Sequence, residues 1–232
     1  MLKEEGKWYN RVKRDLRTGY TTGACAAAAS KAAVTALLTG KTVDLVEITL
    51  PAGKRVLFKI NSCQFKDKTA TCSIIKDAGD DPDVTHGAEI CSTVSWIESP
   101  GIRIDGGEGV GKVTRPGLGL EIGGPAINPV PRRMITEAVG EVMAKTSESQ
   151  GVRVVISVPK GLELAPKTLN PRLGIVGGIS ILGTTGLVIP YSTVAFKACI
   201  SKTIDVAIAS GNPHLVLTTG GRSESFAQQY IS

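Results

Sequence analysis

The hydrophobic positions of this chain change period several times, and each change predicts an element. Residues 22–39 form an alanine-rich run with Thr21 or Thr22 before it and Gly40 after it, which predicts a capped helix. Residues 43–50 (VDLVEITL) and 55–61 (RVLFKIN) alternate apolar and polar, and PAGK between them predicts a hairpin. Two more strands are predicted at 69–76 and 88–97, separated by a polar, acidic loop over 77–87. Residues 101–124 are rich in glycine, with short strand pieces near Ile102–Ile104 and Val110–Thr114.

Farther along, Met134, Ile135, Ala138, Val139, Val142 and Met143 repeat at helical spacing, and Pro131 suits the first turn of that helix. GVRVVISVP (151–159) is almost wholly apolar, as a central strand should be. A helix over 192–210 ends at Gly211, HLVLTTGG (214–221) predicts a strand running into glycines, and SESFAQQY starts another helix. The sequence has no internal repeat and no low-complexity linker. The pattern predicts an α+β domain over residues 1–190, then the first elements of an α/β domain over 191–232.

Composition narrows the function. Aromatic residues are 4% of the chain, which argues against base or sugar stacking. Net charge is +6, and half of it lies in residues 1–17, where Lys3, Lys7, Arg11, Lys13, Arg14 and Arg17 outnumber three acids. What is left is too weak for a nucleic-acid surface but suits a small polyanion. Five cysteines without CxxC spacing argue against zinc and a disulfide framework, and for a reducing compartment. The N-terminus, MLKEEGKW, has no apolar signal core, so a cytoplasmic location is expected. Residues 173–196 carry no charge, yet their five glycines and Pro190 predict a buried glycine-rich loop instead of a membrane span.

Five segments carry candidate chemistry. In RTGYTTGACAAAASKAA (17–33), glycine and threonine precede a helix whose first N–H groups lack partners, an arrangement for holding an anion or for capping a core helix. KDAGDDPDVTHG (76–87) places Asp77, Asp80, Asp81 and Asp83 close to His86. So many like charges are costly unless solvated, protonated or bound to a cation. They suit a divalent cation, acid–base work or hydrogen bonds to ligand hydroxyls or an amino group; the alternative is a solvated turn, though a plain turn seldom needs four acids. In VTRPGLGLEIGGPAINPVPRR (113–133), Asn128, Arg132 and Arg133 sit at a helix start. In KTLNPRLGIVGGISILGTTG (167–186), clustered glycines beside Thr184 and Thr185 can wrap a small molecule. It matches neither the phosphate-loop nor the dinucleotide fingerprint. LVLTTGGRSE (215–224) is a lone strand–glycine–helix turn.

Taken in order, RTGYTTGACAAAA, KDAGDDPDVTHG, PGLG…AINPVPR, KTLNPRLGIVGGISILGTTG and TTGGRSE resemble the cobalt-precorrin-5B C(1)-methyltransferase family of anaerobic cobalamin biosynthesis. The resemblance runs from about Arg17 to Glu224 and implies methyl transfer from S-adenosyl-L-methionine to C-1 of the substrate. It implies an α+β N-terminal part followed by a Rossmann-like α/β part. Family chains continue past TTGGRSE, so this one is expected to be truncated or part of a split enzyme.

The implied substrate is a corrinoid rimmed with carboxylates. For it, Arg17, Thr21, Thr22, Gly23, Asn128, Arg132 and Arg133 are the expected binding residues. Asp80, Asp81 and Asp83 are the catalytic candidates. Gly177, Gly178, Thr184, Thr185, Gly220 and Gly221 are the donor-binding candidates. Cobalt enters only with the substrate, and no protein metal ligand is expected. Nucleic acid and membrane are not expected partners. A homo-oligomer or a missing C-terminal half is. The competing classes are a small-molecule kinase and a tetrapyrrole-binding chain without catalysis.

Overall fold

The computed structural model describes residues 16–146 and 150–230. Most of the basic N-terminal arm, with Lys3, Lys7, Arg11, Lys13 and Arg14, lies outside the described residues, as does the stretch read for a signal core.

Helix α1 (Thr22–Thr39) starts where Thr21 accepts a hydrogen bond from the Ala24 N–H, and stops at Gly40 in the left-handed region. Fourteen of its eighteen residues are buried. A helix apolar on every side belongs in an interior. Its alanines let three neighbours approach closely: strands β5 (Thr69–Ile75) and β6 (Glu89–Ile97), helix α2 (Pro129–Met143), and the hairpin of β2 (Leu45–Thr49) and β3 (Arg55–Lys59). Where α1 meets β6, the Ser30 and Ser92 hydroxyls hydrogen-bond at 2.9 Å and Ser30 also donates to the Ala26 carbonyl, so both buried hydroxyls have partners.

The main sheet has five strands in the order β4 (Ser62–Lys66), β5, β6, β9 (Gly151–Ser157), β7 (Ile102–Gly106). The β4–β5–β6–β9 pairs are antiparallel and β7–β9 is parallel, so the sheet is mixed. The chain runs from β7 through α2 to β9, a βαβ crossover. Its helix buries Met134, Ile135, Ala138 and Val139, four of the six positions read at helical spacing, while Val142 and Met143 are half-buried. Val152, Val154 and Ile156 of β9 are fully buried, as expected of an interior strand. Two small ribbons complete the frame: β1 (Gly19–Tyr20) pairs with β11 (Leu187–Val188), and β8 (Lys112–Val113) with β10 (Ile175–Val176).

Two expectations are corrected. Strand β4 has no apolar alternation and is largely exposed, and it forms because β5 offers it an open edge across the Asp67 turn. The strand expected at 214–221 does not form, since residues 214–219 have no regular structure. An extended segment needs a neighbouring strand for its N–H and C=O groups, and Leu215, Val216 and Leu217 have none beside them. The short helix α3 (Gly161–Leu164) follows β9, helices α4 (Thr193–Ala209) and α5 (Arg222–Tyr230) do form, and only Val206 of the last two is buried. Residues 173–192 fold as turns around β10 and β11, partly buried and partly exposed where a buried loop was expected, and no helix among the described residues is long and apolar enough to cross a membrane.

Close packing around α1 has a measurable consequence. Ala28→Leu, at a fully buried position, should destabilise the fold by about 1–3 kcal/mol through overpacking, seen as a lower urea midpoint. An unchanged midpoint would show slack between α1 and the sheet.

Candidate active site

Three of the singled-out segments meet at the N-terminal end of α1. The first, Arg17–Gly23, lies against the acidic loop. Tyr20 N–H donates to the Asp77 carbonyl at 2.7 Å, and Asp80 N–H to the Arg17 carbonyl at 2.9 Å. The approach is backbone on backbone. A Cβ at Gly19 would overlap the Ala78 main chain, and one at Gly79 the Arg17 carbonyl. The Arg17 guanidinium forks onto Asp77, with Nη2 2.9 Å from Oδ1, and Arg17 N–H donates to Asp80 Oδ2 at 2.6 Å. That guanidinium, helped by the Gly79 N–H, holds the Asp77 carboxyl down at about 2.

The third segment, residues 180–192, covers the start of α1. Gly23 N–H donates to the Leu182 carbonyl at 2.9 Å and Thr21 N–H to the Gly186 carbonyl at 3.1 Å. Thr22 Oγ1 accepts from Leu182 N–H at 2.9 Å. Thr21, Thr22 and Gly23 are therefore buried, and their polar groups hold the loop. Asp81 Oδ1 accepts from Tyr191 N–H at 2.9 Å, which ties the acidic loop to the same segment where Tyr191 takes a positive φ.

Each acid of the loop thus has its own partner. Asp83 Oδ2 receives Nζ of Lys76 at 2.7 Å, and its Oδ1 accepts from the N–H and hydroxyl of Thr85. Lys76 is the largest fully buried side chain, only 1% exposed. Burial by itself would raise the Asp83 carboxyl, but the Lys76 charge and hydrogen bond and the two Thr85 hydrogen bonds outweigh it and hold it below its ordinary value. His86 Nδ1 accepts from Ala78 N–H at 3.1 Å, which leaves Nε2 to carry the ring proton. Asp80 is the exposed acid, with one oxygen held by the Arg17 N–H, and Thr184, Thr185 and Tyr191 of the loop that Asp81 ties down are exposed as well. Among the described residues, no group of three or more His, Cys, Asp or Glu is arranged to hold a metal ion.

The remaining expected residues lie elsewhere. Arg132 is half-buried and donates to the Ile127 and Ile104 carbonyls at 3.2 Å, bracing the start of α2. Asn128 precedes α2 without a side-chain cap bond. Arg133 is exposed, 3.8 Å from Glu137, at a cavity of about 230 Å³ between α2 and the β2–β3 hairpin. Gly177 and Gly178 sit next to Gly109, away from Thr184 and Thr185, which follow Gly183 against Thr21. Gly177 borders a second cavity of about 510 Å³. Gly220 and Gly221 form an exposed turn before α5. The cysteines are free, and burial pushes the Cys25 thiol up to about 12 and Cys91 to about 11, far from nucleophilic.

Sequence reasoning passed over Lys76, Tyr191 and the second cavity. Lys76 had a signal: it continues the inward alternation of Ala70, Cys72 and Ile74.

A mixed α/β frame thus carries a surface of three interlocked loops rich in carboxylate, threonine and glycine. Comparison with known proteins gives this architecture a family. The CbiD family model matches residues 9–190, and the chain belongs to the CbiD family. A protein of Geobacillus kaustophilus, named cobalt-precorrin-5B C(1)-methyltransferase, is 61% identical over 218 residues, covering 94% of this chain and 59% of that protein. The same name is carried by a Salinispora arenicola protein, 60% identical, covering 93% of this chain and 56% of that one. The chain therefore spans little more than half the length of these relatives. A crystal structure of a cobalamin biosynthesis protein (cbiD) from Archaeoglobus fulgidus superposes with a TM-score of 0.57 at 32% identity, covering 93% of this chain and 67% of that one.

The Lys76–Asp83 pair can be tested through pH. Asp83 is held below its unfolded value, so its contribution is complete above the ordinary carboxylate range near pH ~4 and is lost as pH falls through the lowered value. Asp83→Asn should cost about 3 kcal/mol at pH 7 by leaving Lys76 buried without its counter-charge. The gap to wild type should shrink as urea unfolding is repeated at lower pH. A gap independent of pH would mean that the charge contributes nothing.

Proposed function

We propose that this chain methylates ring carbon C-1 of cobalt-precorrin-5B, with S-adenosyl-L-methionine as donor, to give cobalt-precorrin-6A. The observation that carries the reading is the name shared by relatives 60–61% identical over at least 93% of the chain. The convergence of the acidic loop, the α1 start and residues 180–186 supports it, since these carried the family resemblance, and Tyr191 just beyond them is tied to Asp81. A cytoplasmic location goes with this reading.

When bound, the donor supplies an electrophilic methyl on a sulfonium, and the ring carbon is the nucleophile. The chain needs no covalent intermediate of its own, so its task is to align the reactants. Arg17 and Asp77 lock each other in place, and Asp81 fixes the loop that carries Thr184 and Thr185. Asp83 acts on folding through Lys76. Asp80 is the acid left to face a ligand, where it accepts a hydrogen bond or offsets positive charge. Among the arginines, Arg17 and Arg133 are exposed enough to meet substrate carboxylates, and Arg132 braces the helix beneath.

A domain boundary near residue 190 belongs to the same reading, since the family match ends there. Phe196, Leu217 and Phe226 are more than 60% exposed, which supports packing of the segment beyond 190 into a larger α/β unit for which the longer relatives have room.

Anaerobic incubation of the chain with both reactants should add the mass of one methyl to the tetrapyrrole, and no gain would refute the reading for this chain. Asp80→Asn should lower turnover at least about tenfold, a loss of ~1.4 kcal/mol in the transition state, with little change in melting temperature. Unchanged turnover would show that Asp80 meets neither reactant.

A further inference from the structure

The parallel strands β7 and β9 end side by side, and their carboxyl ends open onto the cavity of about 510 Å³. Gly107 and Glu108 follow β7, Pro159 follows β9, and Leu162, Glu163 and Gly177 line the rest of the wall used here. Such a position, beyond the carboxyl ends of adjacent parallel strands, is where open α/β sheets bind ligands, because the loops diverge there and leave a crevice. The volume falls within the range of about 300–1,000 Å³ for small-molecule sites.

The chemistry of the wall selects among ligands. Glu108 and Glu163 bring two carboxylates to the cavity, against the single cation Lys112. That balance repels phosphate and carboxylate ligands and attracts a cation or a vicinal diol, whose hydroxyls a carboxylate accepts. Beside the carboxylates, Leu162 is 65% exposed and Val176 59% exposed, two apolar side chains open to the cavity. They offer a surface for a flat, weakly polar ring. The floor is fixed backbone. A Cβ at Gly178 would overlap the Gly109 carbonyl, so the loops after β7 and after β10 are pressed together. Gly177 has a left-handed φ of 82° with nothing within 4 Å of where its Cβ would be, so its main chain faces open space.

We infer that this cleft is the site of the methyl donor: a nucleoside whose ribose hydroxyls and positively charged tail meet Glu108 and Glu163, and whose base lies on Leu162 and Val176. The inference rests on the methyltransferase reading and deepens it. It moves the donor away from Thr184, Thr185, Gly220 and Gly221, and keeps Gly177.

Calorimetric titration of the full chain with S-adenosylhomocysteine, the donor's demethylated form, tests the assignment. Wild type should bind. Leu162→Arg, which fills the cleft from an exposed position, and Glu163→Gln should each raise the Kd about tenfold or more, while melting temperature without ligand stays close to wild type. The double variant Thr184→Ala/Thr185→Ala should keep the wild-type Kd. If wild type binds and the cleft variants bind equally well, or if only the threonine variant weakens, the donor lies elsewhere and the cleft assignment is overturned while the methyltransferase reading stands. If wild type does not bind at all, both fall for this chain.

Discussion

The structure depends on the burial of α1. A helix with so little side chain can be enclosed by a sheet, a second helix and a hairpin at once, and that enclosure fixes where its first turn points. Everything at the candidate site is referred to that turn. Thr21 and Thr22 are held beneath the 180–186 loop, Gly19 is pressed on Gly79, and the acidic loop is anchored through Asp77 on one side and Asp81 on the other. Backbone contacts leave no room for side chains at 19 and 79, and the Thr21 side chain leaves none at 183, which accounts for glycine at all three. The buried Lys76 adds an electrostatic constraint from below, because among the described residues its ion-pair partner is Asp83 and the loop must stay where that pair can form.

The first turn of α1 is accordingly no open anion cradle. Its free N–H groups, which in isolation would attract a carboxylate, are taken by the protein's own carbonyl and hydroxyl oxygens. Its polar residues serve the architecture, and under the proposed function a ligand would meet the exposed residues Arg17, Asp80, Thr184, Thr185 and Tyr191 instead. The four acids likewise divide between holding the loop and facing outward.

Much of the frame was legible in the sequence. The alanine run with Thr21 before it and Gly40 after it marks α1, and alternation marks β2, β3, β5 and β6, because burial of one face imposes those periods. What has no such imprint was not legible. Strand β4 is polar and exists only because β5 has a free edge, and the apolar run at 215–217 is no strand because no partner lies beside it. At the site, the residue types and segments could be read, but not their pairing. No spacing rule says that Asp83 belongs to Lys76, or that Gly178 meets Gly109 while Gly183 meets Thr21, since those contacts join residues from separate parts of the fold. Charge density in 77–83 pointed to a site, whereas the distinct duty of each acid is a tertiary fact.

The central claim is that Arg17–Gly23, the acidic loop and residues 180–192 act as one surface that receives the tetrapyrrole. Hydrogen exchange of the chain with and without cobalt-precorrin-5B tests it most directly. The account predicts that amides near residues 80, 184 and 191 gain protection together in the presence of the tetrapyrrole, with the sheet strands unchanged. Protection confined to the face of α4 and α5, or to none of the three segments, would contradict it.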